Sequence, residues 1–187
     1  MSARTWIALL LGAAIAAQLA VPAGMIVRRE LVLHRGVALR FRTAPVDPYD
    51  AFRGRYVALG FDERSALCED KFRAHQSIYV RAETGTNGFA HLAEAARQPG
   101  GTGVWFRASA NYSTDGKSVT VDLPFDRFYM DEKSAPQAEK LYREINRRNR
   151  PASDKRETWL QVRVYRGLAV PEELYIDGRP IREALRR

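Results

Sequence analysis

The sequence is organised around residues 6–27, WIALLLGAAIAAQLAVPAGMIV, in which no residue is charged. A helix of this length would rise roughly 33 Å, enough to cross the ~30 Å hydrocarbon core of a bilayer. A helix in the core of a water-soluble protein should present a polar face, and Gln18 is the only strongly polar side chain in this segment. The segment therefore predicts a membrane helix that is retained in the mature protein.

Two other interpretations of the segment stay open. Arg4 followed by an apolar run, with small residues at 14–16 or 21–23, is also typical of a cleaved signal peptide. The run is longer than the ~7–15 apolar residues usual in such a peptide, which favours retention. A buried core helix is the third interpretation. On the favoured one, residues 1–29 form an N-terminal membrane anchor and residues 30–187 form a single extracytoplasmic domain.

The charge of the chain bears on its partners. There are 30 Lys and Arg residues against 22 Asp and Glu, giving a formal charge of +8 over 187 residues. A basic domain beside a bilayer can hold anionic lipid headgroups. We expect no nucleic acid partner, because the basic residues are spread among acidic ones and no nucleic-acid-binding motif is present. The single cysteine, Cys68, excludes an intramolecular disulfide and a cysteine-only zinc site.

Hydrophobic periodicity predicts an α+β fold class, in which an N-terminal transmembrane helix precedes a mostly antiparallel β-rich domain with two short helices. Period-two alternation predicts roughly six or seven strands, which can curl into a partial barrel. The strands fall at residues 37–41, 55–62, 77–82, 104–110, 119–123 and 160–164, with a short hairpin at 174–181. Helical spacing predicts the helices at 89–96, capped by Asn87, and at 134–145. Residues 31–36 are expected to link the anchor to the domain.

No motif predicts a cofactor or a metal site. Gly116-Lys117-Ser118 resembles the end of a phosphate-binding loop, but Asn111 stands where the first glycine is needed and a strand-like segment follows. His91 and Glu94 have the spacing of two metal ligands on a helix, yet a third ligand would have to be distant, so a solvated face is favoured. The acidic neighbours of Cys68 disfavour its thiolate, which argues against a nucleophile.

Residues 45–61 hold the densest group of turn-forming and charged residues. Pro45 and Pro48 disfavour a central strand, and Gly54 permits a backbone conformation that other residues avoid. The simplest interpretation is a rigid turn whose carboxylates bond backbone N–H groups or pair with nearby arginines. The functional alternative is a polar binding site formed by Asp47, Asp50, Arg53, Arg55 and Tyr56.

The octapeptide Gly54-Arg55-Tyr56-Val57-Ala58-Leu59-Gly60-Phe61 resembles the motif Gly-Asp-Tyr-x-x-Leu-x-Tyr of the bacterial GDYXXLXY domain family. Gly54, Tyr56 and Leu59 match the motif, whereas Arg55 replaces its Asp and Phe61 replaces its last Tyr. In a strand, Val57, Leu59 and Phe61 would share one apolar face. On this interpretation the motif is largely a folding device. The similarity extends to residues 18–22, 45–53 and 127–129.

The resemblance implies a small protein with an N-terminal membrane helix and an extracytoplasmic β-rich domain, found alongside multi-span membrane proteins and without an established activity. Arg28, Arg29 and Arg35 follow the helix and only Arg4 precedes it, so the count of basic residues alone would keep the domain inside. A helix this close to the start resembles a signal-anchor, however, and the family points the same way. We therefore expect a single-pass protein of the inner (cytoplasmic) membrane, with its domain facing the periplasm or cell exterior.

The sequence as a whole predicts a membrane-tethered interaction domain without catalysis. Its expected partners are membrane lipid around the N-terminal helix and a polytopic membrane protein or another envelope component at the polar loops. Two alternatives stay open. One is an envelope hydrolase-like enzyme that uses Asp47 and Asp50 for acid–base chemistry, and the other is a basic domain that binds anionic lipid headgroups.

Overall fold

The apolar N-terminal segment forms one continuous helix, α1 (Ala3–Arg35). It is seen in a computed structural model that describes residues 3–44, 56–113, 117–145 and 156–186. The part Leu10–Arg35 is long and apolar enough to cross a membrane, and its most apolar window is not buried against the rest of the chain. The residues expected to link the anchor to the domain, 31–36, continue the helix: α1 extends to Arg35, and Val32 packs into the domain at 1% exposure.

Twelve strands and two further helices follow α1 in the part of the chain that the structure describes. They are β1 (Val37–Ala44), β2 (Tyr56–Ala58), β3 (Gly60–Phe61), β4 (Ser65–Leu67), β5 (Ser77–Thr84), β6 (Ala90–Ala96), β7 (Val104–Ser113), β8 (Ser118–Asp122), β9 (Arg127–Tyr129), α2 (Ala135–Ile145), β10 (Thr158–Tyr165), β11 (Leu168–Ile176), β12 (Arg179–Pro180) and α3 (Ile181–Ala184). The strands outnumber the six or seven predicted because several have only two or three residues, too short to show an alternation.

The junction between α1 and the domain is a tight turn at Gly36. Its N–H donates a hydrogen bond to the Val32 carbonyl oxygen at 2.8 Å, and β1 begins at the next residue. A Cβ at Gly36 would collide with that carbonyl oxygen and would lie 3.1 Å from both the Arg163 Cβ and the Val164 backbone nitrogen. Glycine is therefore required where α1 approaches the sheet so closely.

Two sheets build most of the domain. The first is antiparallel and five-stranded, in the order β12-β11-β10-β1-β3. The second is a closed barrel in the order β4-β6-β5-β7-β8, where only the β4–β6 pair is parallel. Closure removes the free edges that a partial barrel would leave. Residues 114–116, between β7 and β8, lie outside the described residues.

A two-stranded sheet, β2–β9, and helix α2 complete the domain. Helix α2 packs against β2 and buries the apolar face predicted from its spacing, including Ala138, Tyr142 and Ile145. The Tyr142 hydroxyl donates to the Ala44 carbonyl oxygen at 3.2 Å. Burial raises the pKa of Tyr142 to about 12, so its hydroxyl stays neutral and can donate this hydrogen bond.

The single strand predicted at residues 55–62 is two strands in different sheets. β2 pairs with β9, and β3 pairs with β1. Between them, the Leu59 N–H donates to the Asp126 carbonyl oxygen at 2.8 Å, which switches the chain from one sheet to the other. The burial pattern still follows the alternation of the sequence, because Val57, Leu59 and Phe61 are all buried.

The helix predicted at residues 89–96 is wrong, because this segment is strand β6. Arg81 of β5 pairs with Glu94 and Ala82 pairs with Leu92, so the extra residue between them, Ala93, forms a β-bulge. The bulge places Leu92 and Ala95 on one buried face three residues apart, a spacing that resembles a helix. Asn87 does not cap a helix either. Its Oδ1 accepts a hydrogen bond from the Phe89 N–H, at 3.0 Å, in the β5–β6 turn.

Phenylalanine rings join the sheets into one hydrophobic core. Phe41 of the five-stranded sheet lies 6.3 Å from Phe106 of the barrel and 4.9 Å from Phe125 between ring centroids. The predicted fold class is confirmed, since an N-terminal apolar helix precedes a mostly antiparallel β-rich domain with two further short helices. Only one of those helices, α2, stands where the sequence predicted it.

Candidate functional site

Most of the predicted binding residues lie outside the described part of the chain. These are Asp47, Asp50, Arg53 and Arg55, and the structural residues Pro45, Pro48 and Gly54 lie outside it as well. Three residues of the predicted site and motif are described. Leu59 and Phe61 are each 6% exposed and belong to the core. Tyr56 is partly exposed, and it is the described residue of the candidate binding set.

Tyr56 forms a small cluster with two residues of β9. Antiparallel pairing sets Tyr56 opposite Tyr129, and their ring centroids are 5.7 Å apart. The Arg127 guanidinium lies over the Tyr56 ring, 5.1 Å from its centroid, as a cation–π contact. The neighbouring Tyr129 hydroxyl and the Asp126 carboxylate raise the pKa of Arg127 above its ordinary value.

A cavity of about 640 Å³ lies beside this cluster, between α1 and the domain. From α1 it is lined by Met25, Ile26 and Arg29. The domain contributes the remaining walls. Their charged and aromatic members include Asp126, Arg127, Tyr129, Glu172 and Arg182. We call this cavity the α1 groove.

The acidic wall of the α1 groove is fixed by Arg163. Its Nε and Nη2 donate to the two carboxylate oxygens of Glu172 at 2.6 and 3.2 Å, and Gln161 Nε2 adds a bond of 2.7 Å. Burial raises the pKa of Glu172, but the hydrogen bonds from Arg163 and Gln161 and the charge of Arg163 outweigh it, so the pKa lies below its ordinary value. Arg163 Nη1 also donates to the Gly36 carbonyl oxygen at 3.2 Å. One guanidinium thus links the groove wall to the end of α1.

The basic wall of the groove includes Arg182 on α3. This short helix is anchored by Ile181, which is fully buried, so Arg182 is placed by the core rather than by its own helix. Burial raises the pKa of Glu173 on β11, and the charge of Arg182 partly offsets the effect. The groove therefore presents cations and anions together beside the apolar side chains of α1.

The other chemical candidates from the sequence are not gathered into a site. No group of three or more His, Cys, Asp or Glu side chains that could hold a metal ion occurs within residues 3–44, 56–113, 117–145 and 156–186. His91 and Glu94 lie on β6, on either side of the bulge, and His91 is half exposed near Glu83. Cys68 is buried.

Sequence reasoning missed most of the groove. The sequence marks Arg127-Phe128-Tyr129 by family similarity alone and not as a site. Its alternation could have identified a strand, but not its pairing with residues about 70 positions earlier. Arg29, Glu172 and Arg182 gave no signal, because single charged residues beside apolar runs are common in any chain.

The fold and the groove together define a class of protein, a β-rich domain joined without a linker to an N-terminal helix that can span a membrane. The chain belongs to the GDYXXLXY family, since the family model described as GDYXXLXY protein matches residues 18–174. That match starts inside α1 and ends in β11, and so it includes all of the groove lining except Arg182. Neither a curated protein nor a solved structure matches the chain.

Proposed function

We propose that this protein is a single-pass protein of the inner (cytoplasmic) membrane whose extracytoplasmic domain is a non-catalytic interaction module. Its partner is an integral membrane protein, bound through a membrane-proximal segment in the α1 groove. The observation that carries the proposal is the position of the groove at the end of the apolar run, with Met25 and Ile26 on one wall and Arg127 and Tyr129 on the other.

The level of the groove along α1 supports a membrane-proximal partner. Met25 and Ile26 belong to the uncharged run and are 67% and 63% exposed, whereas Arg29 lies just beyond the run. Tyrosine and arginine are among the side chains that favour the boundary between hydrocarbon and water. With α1 in a bilayer, the groove opens at that boundary, where the segments of a neighbouring membrane protein leave the lipid.

The rigid junction supports recognition at a fixed height. From Val27 to Arg35 the helix rises about 12 Å, and the buried Val32 and the tight turn at Gly36 fix the domain to its end. The domain therefore stays beside the membrane surface instead of moving on a tether. Such an arrangement suits a partner embedded in the same membrane better than a soluble one.

The mixture of charges supports a polypeptide partner. The groove carries Arg29, Arg127 and Arg182 together with Asp126 and Glu172, and a polypeptide can match both signs. The second candidate ligand is an anionic lipid headgroup, which the three arginines favour. That headgroup would also face the carboxylates of Asp126 and Glu172, which repel an anion. The hydrolase alternative depends on Asp47 and Asp50, which lie outside the described residues, and it receives no support from the groove.

The proposal can be tested by photo-crosslinking in intact cells that express the full chain with a carboxyl-terminal tag. A photoreactive phenylalanine analogue is placed at Ile26, at Tyr129 and, as a control, at Leu67, which is equally exposed on the barrel. We expect the first two positions to capture the same integral membrane protein and Leu67 to capture none. Adducts with lipid alone, equal adducts at all three positions, or no adducts at Ile26 and Tyr129 would each contradict the proposal.

The side of the membrane is tested separately with the same tagged chain. Protease added to spheroplasts should remove the tag and leave a cytoplasmic marker protein intact. A tag that is degraded only after lysis would place the domain in the cytoplasm. Recovery of a chain that begins within residues 15–29 would show that α1 is cleaved and would contradict the retained anchor.

A further inference from the structure

A second cavity, of about 540 Å³, lies where the end of α1, the β10–β11 turn and the barrel meet. Its lining includes Arg35, Tyr79, Trp105, Tyr165, Arg166 and Gly167, and we call it the Trp105 cavity. It shares no lining residue with the α1 groove in the part of the chain that the structure describes. The volume is in the usual range of small-molecule sites, ~300–1,000 Å³.

A buried donor without a partner points to a ligand in this cavity. Trp105 is 8% exposed, and its Nε1 is buried and forms no hydrogen bond with any residue that the structure describes. An indole nitrogen can only donate, and leaving such a donor unpaired costs about 1–3 kcal/mol. Trp105 lines the cavity, so an acceptor atom of a bound molecule that reaches this nitrogen would satisfy it.

The other polar side chains of the cavity are also donors. Tyr79 accepts two hydrogen bonds from Arg107, from Nε at 3.1 Å and from Nη2 at 3.0 Å. These bonds occupy the lone pairs of the hydroxyl, so its O–H is left to donate. Arg35 and Arg166 add two cations, and no carboxylate lines the cavity among the described residues. Such a set of donors matches an anion.

The backbone fixes one of the two cations at the mouth. Tyr165 pairs with Leu168, so Arg166 and Gly167 form a two-residue turn between β10 and β11. Both have positive φ, +48° and +80°, which is the geometry of a type I′ turn. Arg166 adopts it although it is not a glycine, and its guanidinium lies over the Tyr165 ring, 5.4 Å from the centroid. The cation is therefore held beside an aromatic wall.

From this donor set, we propose that the Trp105 cavity binds the anionic group, phosphate or carboxylate, of a small organic molecule. Trp105 Nε1, the Tyr79 hydroxyl, Arg35 and Arg166 donate to the anion, and the rings of Tyr79 and Tyr165 contact the remainder of the molecule. The inference goes beyond the proposed partner binding, because it concerns a separate cavity and does not require a membrane protein to be present.

The experiment follows the indole N–H signals of the full chain, labelled with ¹⁵N and held in detergent micelles. The chain has three tryptophans, and Trp105→Phe identifies the signal of Trp105. The probes are inorganic phosphate and succinate, each titrated at constant ionic strength against chloride. We expect a saturable shift of the Trp105 signal with one of the probes, while the signals of Trp6 and Trp159 stay in place. The probe that acts distinguishes a phosphate site from a carboxylate site.

The decisive variant is Arg166→Asn, because Asn before Gly is favoured in a type I′ turn and removes the cation without disturbing the turn. It should weaken binding about tenfold or more, as expected for the loss of a charge-assisted hydrogen bond. Arg35→Gln, at an exposed helix end, should act in the same direction. Arg73→Asn is the matched control, since Arg73 is exposed and lies outside the cavity lining. The proposal is overturned by the absence of a saturable shift with both probes, or by equal binding in Arg166→Asn and Arg73→Asn.

Discussion

The Gly36 N–H donates to the Val32 carbonyl oxygen at 2.8 Å, and this bond closes α1 at the residue before β1 begins. A side chain at Gly36 would strike that oxygen and crowd the backbone of β10. The helix and the domain therefore share one rigid connection. The first prediction tests this connection directly.

We expect Gly36→Ala to lower the free energy of unfolding by about 1–3 kcal/mol, the usual cost of forcing extra atoms into a packed site. Thermal unfolding of the full chain in detergent measures it. Gly100→Ala is the control, because a Cβ at Gly100 meets nothing within 4 Å. A Gly36→Ala protein as stable as the Gly100→Ala protein would show that the junction is loose.

The second prediction concerns the family motif. Leu59 is 6% exposed in the core, so Leu59→Ala should destabilise the domain by about 2–5 kcal/mol through lost burial and the cavity left behind. Leu67→Ala removes the same atoms from a side chain that is 67% exposed and should change stability little. Equal melting temperatures for the two variants would mean that the motif leucine does not hold the fold.

The third prediction concerns a buried polar contact between β1 and β10. The Oγ1 atoms of Thr43 and Thr158 are 2.6 Å apart, and both residues are buried. Each single change to Val should cost about 1 kcal/mol or more, because it leaves the other hydroxyl with a bond fewer. The double variant should lose less than the sum of the two single variants, by about 0.5–1.5 kcal/mol. Strict additivity in this double-mutant cycle would contradict the hydrogen bond.

The fourth prediction is a pH dependence that arises from Glu172. Its pKa is lowered in the folded protein by Arg163 and Gln161, so the unfolded chain binds a proton at a higher pH than the folded one. The stabilisation is complete above the unfolded pKa of about 4.3 and is lost as the pH falls through the folded pKa. We expect Glu172→Gln to cost about 1 kcal/mol near neutral pH.

The measurement for Glu172 is the melting temperature between about pH 6 and pH 3. The wild-type curve should fall more steeply than that of Glu172→Gln, and the two should converge at the acid end. Glu63→Gln, at an exposed position outside the groove, should keep the wild-type slope. Parallel curves for the wild type and Glu172→Gln would show that the pair with Arg163 adds nothing.

The sequence predicted those parts of the fold whose signals are local. Examples are the alternation in β1, β5 and β10 and the spacing of the buried residues in α2, Ala138, Tyr142 and Ile145. Each pattern arises within one element that buries one face in the core. The prediction failed at β6, because a bulge at Ala93 converts a strand period into a helical one. The sequence of β6 by itself does not indicate the bulge, because a bulge is defined by the pairing with the partner strand β5.

The candidate sites were less predictable than the fold. Tyr56 was singled out from the family motif, but Tyr129 and Arg127 join it only through the β2–β9 pairing. Arg35, Trp105 and Arg166 are even farther apart in sequence, and they meet because α1, β7 and the β10–β11 turn converge. Residues that come together only through the packing of three elements have no regular spacing in the sequence, so no sequence pattern indicates them.

Because α1 runs without a break into the domain, the number of residues in α1 sets the orientation of the domain about the helix axis. Each residue of an α-helix adds a rotation of about 100°. One residue inserted between Val27 and Val32 would therefore rotate Met25 and Ile26 roughly a quarter turn away from the domain wall of the groove. Four inserted residues would nearly restore the original orientation and would raise the domain by about 6 Å along the helix axis. Insertions of one to four residues would thus separate the effect of the domain's rotation about the helix axis from the effect of its height along that axis. In the natural chain both are fixed by the same helix.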